Sequence, residues 1–188
     1  MLHVYAKTGV ASTPTLVNVW AGIHSDNVIQ DTASMRYMPE SVREFWTSAA
    51  TAPFNAAFVE HLQPVYAHSR LLTLALKNAG IPVLAGTDVG NPFLIPGVAL
   101  HQELMLLNEA GLSPLDSLRA ATLNPASVFG FEDSLGQVKT GFIADLVLLD
   151  SNPIVDMSAV SDISAVVRGG KLYNRNTLNQ ILSDLQKR

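Results

Sequence analysis

The side chains equipped for chemistry are few and widely spaced. The most suggestive is Asp88, which ends the stretch Gly80-Ile-Pro-Val-Leu-Ala-Gly-Thr-Asp, an apolar run leading straight into a carboxylate. An acid at the carboxyl end of a buried strand sits where α/β folds open their ligand crevices and where β/α barrels carry their catalytic groups. A carboxylate there can serve a ligand site or a catalytic one. It can equally cap the next turn, as Asp often does. Position alone leaves both readings open.

Around Asp88 stand weaker candidates. Asn18, near the end of "TPTLVNVW", can face the same crevice or be a satisfied buried amide. Asn91 and Phe93 follow Asp88 in a loop and can shape a pocket, and His101 falls just beyond, on the first turns of a helix. His61 and His68 share a helix face about two turns apart, but no acid lies between them on that face, which favours exposure or packing. "GGK" at Gly169 to Lys171 lacks the rest of a phosphate-binding loop and reads as a hairpin turn. The chain has no cysteine, so disulfides and thiolate metal sites are excluded, and a transition metal would need His, Asp or Glu.

The elements that must position these groups alternate in character. The β-branched "TPTLVNVW" predicts a buried strand over Thr15 to Trp20. Ala21 to Met38 holds no period and reads as a long covering loop, followed by a short helix in "MPESVREFW" with Pro39 near its first turn. Asn55 to Lys77 spaces Phe58, Leu62, Val65, Leu72 and Leu76 for a one-faced helix that Pro64 should kink, and "NAG" stops it before the apolar strand "IPVLAG". Strand, helix and strand make a βαβ unit. Helices are expected over Val98 to Ala110, from Pro114 behind a Ser113 cap with Asp116 completing a capping box, and over Pro125 to Phe129. Beyond Phe131 the pattern becomes β. "GQVKTGFIADLVLLD" reads as two strands around Gly141, "ISAVVRGGKLYN" as a hairpin, and Thr177 to Lys187 as a terminal helix.

Composition narrows the function classes. With 188 residues, 48% of them hydrophobic and only 15% charged, the chain can bury a sizeable core. A net charge of -4 with no basic run argues against nucleic acid and against anionic membrane as partners. No window reaches the apolar length of a membrane span or the layout of a signal peptide, so a soluble chain, cytoplasmic by default, is expected. The start "MLHVYAKTGV" reads more like the middle of a helix than a beginning.

From Gly80 to Tyr173 the sequence resembles the carboxyl-terminal part of the metal-dependent amidohydrolase superfamily, in its imidazolonepropionase-like branch. The ordered features are "GTD", "HQEL", "AGLSPLDSLRAATLNPA", "LGQVKTGFIADLVLLD" and "VVRGGK", and "TPTL" resembles the seventh barrel strand of that family. The resemblance implies an α/β fold: the carboxyl-terminal part of a (β/α)8 TIM-like barrel, plus a segment of a small β-sandwich. Residues 1–130 would be barrel, about strands seven and eight with their helices, 131–176 sandwich strands, and 177–188 a terminal helix. Asp88 would match the acid that ends the eighth strand, ligates the metal and takes a proton from the attacking water. A bound divalent ion lowers the pKa of its water to about 7, and the acid can pass the proton to the leaving nitrogen. Zinc is the expected ion, although Asp and His also suit other divalent metals. His101 would support or pack beside the site rather than ligate, with Asn18 and Asn91 as further pocket residues.

The sequence also departs from that family. It contains no His-x-His pair, and His3, His24, His61, His68 and His101 do not reproduce the family's series of ligands. A complete barrel takes roughly 250 residues, and only about two barrel strands are legible here. The expectation is therefore a fragment, a truncated product or one piece of a split enzyme, inactive alone and acting on a small-molecule amide once joined by the missing amino-terminal barrel portion or a complementary chain. Exposed strand edges would also favour a homo-oligomer. The alternative is a non-catalytic remnant or scaffold subunit.

Overall fold

The computed structural model describes residues 7–48 and 56–186. His3 and the helix-like opening up to Ala6 lie outside those residues, as does Asn55 at the expected start of the long helix.

Among the described residues, four helices with full bounds precede the long one: α1 (Leu16–Ile23), α2 (Ser25–Gln30), α3 (Thr32–Met35) and α4 (Glu40–Thr47). The first corrects the expected strand over Thr15 to Trp20. Its buried residues are Leu16, Val17, Ala21 and Gly22, with Trp20 packed beside them, so the buried positions recur at spacings of four and five, and core packing overrides the β-preference of two valines. The expected loop from Ala21 to Met38 is likewise helical through α2 and α3. Asp31 caps α3 by accepting the Ser34 N–H at 3.2 Å, and Met35 is drawn into the core. Pro39 stands at the N-cap of α4.

The long helix α5 (Ala56–Asn78) contains Pro64 and ends at Gly80, whose φ of 80° few other residues adopt. The strand expected after it is reduced to a single parallel bridge between Ser12 and Val83. Ser12 N–H donates to Pro82 C=O at 2.9 Å, and Leu84 N–H donates to Ser12 C=O at 2.8 Å. The pairing thus falls upstream of the segment predicted as its partner. On the other side of the same stretch, Ala85 N–H donates to Ala120 C=O at 2.8 Å, and the Asn124 carboxamide donates to Val83 C=O at 2.9 Å.

Three helices follow: α6 (Val98–Glu109), α7 (Pro114–Ala120) and α8 (Leu123–Val128). The Ser113 hydroxyl caps α7, accepting Asp116 N–H at 3.1 Å while donating to the Asp116 carboxylate at 2.8 Å. With Lys77 and Arg119 also near, that carboxyl is held below its ordinary range, first by the Ser113 hydrogen bond. The core joins α1, α6, the 93–95 loop and the Val83 segment: Leu16, Leu94, Leu106, Leu107 and Ala120 are among its least exposed members.

The β part is an antiparallel sheet of β1 (Leu146–Leu149), β2 (Ile163–Arg168) and β3 (Lys171–Asn174), in that order. Val147 pairs with Val166, and Val166 with Tyr173. Gly169 and Gly170, both at positive φ, turn the β2–β3 hairpin, as the sequence predicts. The Asp145 carboxylate accepts Gly169 N–H and fixes that turn. The strand expected before Gly141 is not formed. Instead, Ile143 N–H is tied back to Ser134 C=O at 2.9 Å, and Val138 is 88% exposed, because no strand among the described residues offers that segment a ladder. Helix α9 (Arg175–Leu185) closes the chain, capped by Asn174 accepting Thr177 N–H at 3.0 Å. No helix of the described residues is long and apolar enough to cross a membrane.

Candidate active site around Asp88

The bridge at Ser12 and Val83 brings two chain segments side by side, and Asp88 leaves the end of the second. Gly86 makes the approach possible. A Cβ there would lie 2.3 Å from the Thr13 side-chain methyl, so only glycine lets the two segments run this close without moving Thr13. Asp88 itself has a φ of 56°, the left-handed region that Asp and Asn tolerate better than other non-glycine residues.

That backbone turn presents the carboxylate outward, where two carboxamides meet it. Asn18 Nδ2 donates to Asp88 Oδ2 at 2.8 Å, and Asn91 Nδ2 donates to the same oxygen at 2.6 Å. Asn91 is also tied to Asp88 through the backbone, its N–H donating to Asp88 C=O at 3.3 Å. The structure therefore assembles three of the sequence-level candidates at one point. Both donors use Oδ2 and neither uses Oδ1, so the carboxylate is oriented by one oxygen while its other edge is turned away from these amides.

Asn18 comes from α1, and the anchoring of α1 is the feature that the sequence-level candidates omit. Thr15, its N-cap, has a φ of 47° and makes no side-chain capping bond. The acceptor arrives instead from α6: Glu103 Oε2 accepts Val17 N–H at 2.7 Å. Glu103 is 0% exposed, and its other oxygen, Oε1, has no hydrogen-bond partner. Burial pushes its carboxyl up to about 7, against the smaller opposing effect of the Val17 and Leu16 N–H groups. A signal for it exists in the sequence. Ala99, Glu103, Leu106 and Leu107 form one buried stripe of α6, and the acid falls squarely within it.

The remaining candidates stand apart from Asp88. His101 is half-buried on the first turns of α6, where burial pushes its imidazole below the ordinary range, and its ring enters neither hydrogen bond on the Asp88 carboxylate. Phe93 is 3% exposed and packs against Trp46 at a ring-centre separation of 5.6 Å, so it belongs to the core. It also walls an apolar cleft with Val17, Trp20 and Val28, which neither Asp88 nor Asn18 lines. His24 stacks on Trp20 at 4.4 Å and bonds the Trp20 carbonyl. His61 and His68 are exposed, the latter with Nδ1 on the Pro64 carbonyl at 2.7 Å. Among the described residues no group of three or more His, Asp or Glu side chains converges in a way that could hold a metal ion.

Comparison with known proteins locates this arrangement. The ochratoxinase of Aspergillus niger is 34% identical over 111 residues, a match covering 56% of this chain and 22% of that protein. The imidazolonepropionase of Rubrobacter xylanophilus is 37% identical over 106 residues, covering 52% of this chain and 24% of that protein. This chain thus spans less than a quarter of the length of either. In fold it is similar to the bottromycin amidohydrolase, with a TM-score of 0.73 at 24% identity over 93% of this chain and 39% of the other. The model of the amidohydrolase family matches residues 65–173, which include Asp88, Glu103 and all of the three-stranded sheet but its last residue. The chain belongs to the amidohydrolase family.

Proposed function

We propose that this chain is the carboxyl-terminal portion of a hydrolase acting on carbon–nitrogen bonds, with Asp88 as its proton-handling carboxylate. The observation that carries the reading is the double hold on Asp88 Oδ2 by Asn18 and Asn91, at the end of a segment that only glycine at position 86 allows. A turn cap needs neither carboxamide. In the proposed chemistry Asp88 takes a proton from the water that adds to an amide carbonyl, then returns it to the nitrogen as the C–N bond breaks, so the acid ends as it began. The two carboxamides keep the carboxylate in one orientation through both transfers.

The family resemblance implies a divalent ion, zinc in the first instance, which would polarise the carbonyl and acidify water. Asp88 would give that ion one ligand, and the others would come from polypeptide beyond this chain. In the same reading residues 1–130 are the last part of a TIM-like barrel, 131–176 part of a β-sandwich, the substrate is a small-molecule amide, and the chain is inactive alone.

The test is to co-express this chain with the preceding barrel portion of an amidohydrolase, containing the His-x-His pair, and to measure assembly and amide hydrolysis. Activity is expected only in the complex. Asp88→Asn should keep assembly and remove most turnover, because a carboxamide cannot accept the water proton at neutral pH. A turn cap would survive that change, so an active Asp88→Asn complex would refute the assignment.

A further inference from the structure

Glu103 is an expensive residue in its place. It is fully buried beside Leu106 and Leu107, one carboxylate oxygen lacks any partner, and a leucine would fill the same stripe without that penalty. What it supplies is a side-chain acceptor for the start of α1, where the Thr15 side chain offers none. The residue after Val17 is Asn18, whose carboxamide reaches Asp88.

We infer that Glu103 is a positioning residue for Asp88: by fastening the first turn of α1 to α6 it sets where the Asn18 carboxamide stands, and the carboxamide sets the Asp88 carboxylate. The importance of this for catalysis rests on reading Asp88 as the working acid, whereas the chain of contacts itself does not. Each link is short and serial. Glu103 Oε2 holds Val17 N–H at 2.7 Å, Asn18 N–H donates to Thr15 C=O at 3.0 Å in the same turn, and Asn18 Nδ2 holds Asp88 Oδ2 at 2.8 Å. Asn91 reaches Asp88 from the Asp88 loop itself and is independent of α1, so it provides an internal control.

The experiment labels the chain with 15N in asparagine only, so that the side-chain amide spectrum stays readable in the isolated chain or in a larger assembly. Asp88→Ala identifies the signals of Asn18 and Asn91 freed from the carboxylate. In Glu103→Leu the Asn18 signal should move to its freed position while that of Asn91 stays. In Glu103→Gln, whose side-chain oxygen can still accept Val17 N–H, the Asn18 signal should keep its original position. An Asn18 signal that stays put in Glu103→Leu, or that moves as far in Glu103→Gln, overturns the inference, and so does joint movement of both amides in a folded Glu103→Leu chain. If Glu103→Leu does not fold, the Glu103→Gln result is joined by scalar coupling across Val17 N–H to the Glu103 carboxyl carbon in the unaltered chain, labelled separately with 15N in valine and 13C in glutamate, and lack of that coupling overturns the inference. None of these readouts requires turnover. An active Asp88→Asn complex would remove the catalytic reading and leave them standing.

Discussion

Asn18 reaches across 70 residues of sequence to donate to Asp88 at 2.8 Å, and this one bond joins the first helix to the exit of the central segment. If it contributes as a hydrogen bond to a charged group, a double-mutant cycle of Asn18→Ala and Asp88→Ala, read by denaturant unfolding, should give a coupling of about 1 kcal/mol. Additive behaviour of the two substitutions would mean that the contact is incidental.

Glu103 predicts a particular pH dependence. Its carboxyl is raised from 4.5 to about 7 by burial, so between those values the folded chain binds a proton that the unfolded chain has released. Stability should therefore fall as pH rises through this window, by about 3 kcal/mol from one plateau to the other. Tyr66 and Arg70 of α5 lie near enough to interact with the same region, and both are unchanged in Glu103→Gln. The difference between the unfolding curves of the chain and of Glu103→Gln should carry the slope, and a flat difference from pH 4 to pH 8 would contradict it.

Gly86→Ala should destabilise the chain by roughly 1–3 kcal/mol, because the new Cβ meets the Thr13 methyl at 2.3 Å. Thr13→Ser removes that methyl. Most of the loss should be recovered in the double variant, measured by thermal or denaturant unfolding. Equal loss with and without the Thr13 change would place the strain elsewhere.

The sheet and the helices α7 and α8 border an open apolar groove, with Leu118, Phe129, Phe131, Ile143 and Leu148 along its walls. Phe129 is 66% and Leu148 62% exposed. Such a surface favours association, so the isolated chain should sediment as concentration-dependent oligomers. Leu148→Lys should shift the distribution toward monomer. A monomer at every concentration in the unaltered chain would show that the groove is not sticky.

How much of this was legible in the sequence depended on which force decided each element. The Gly169-Gly170 hairpin, the Ser113 cap and the helix around residues 98–110 follow from local turn and capping chemistry, and the structure has them. Asp88, Asn18 and Asn91 could be named as neighbours of one crevice, yet their meeting on a single oxygen is a tertiary fact. Thr15 to Trp20 misled because two valines advertise a strand while the burial of Leu16, Val17 and Ala21 selects a helix. The segment before Gly141 misled because alternation makes a strand only where a partner exists. Glu103 is hard to read from sequence because a lone acid inside an apolar stripe looks like a surface residue until the helix phase is drawn.

The single bridge at Ser12 has a kinetic meaning. Ser12 to Val83, Asn18 to Asp88 and Val17 to Glu103 all connect the stretch 12–18 with the stretch 83–103, the latter two across 70 and 86 residues. Closing so long a loop costs entropy that grows only slowly with length, and once any one of the three contacts forms, the others become local. Asp88 and Asn18 should therefore come together in one late event, whereas Asn91 is already local to the acid. The search for that encounter, rather than formation of the individual helices, should set the pace at which a competent site appears.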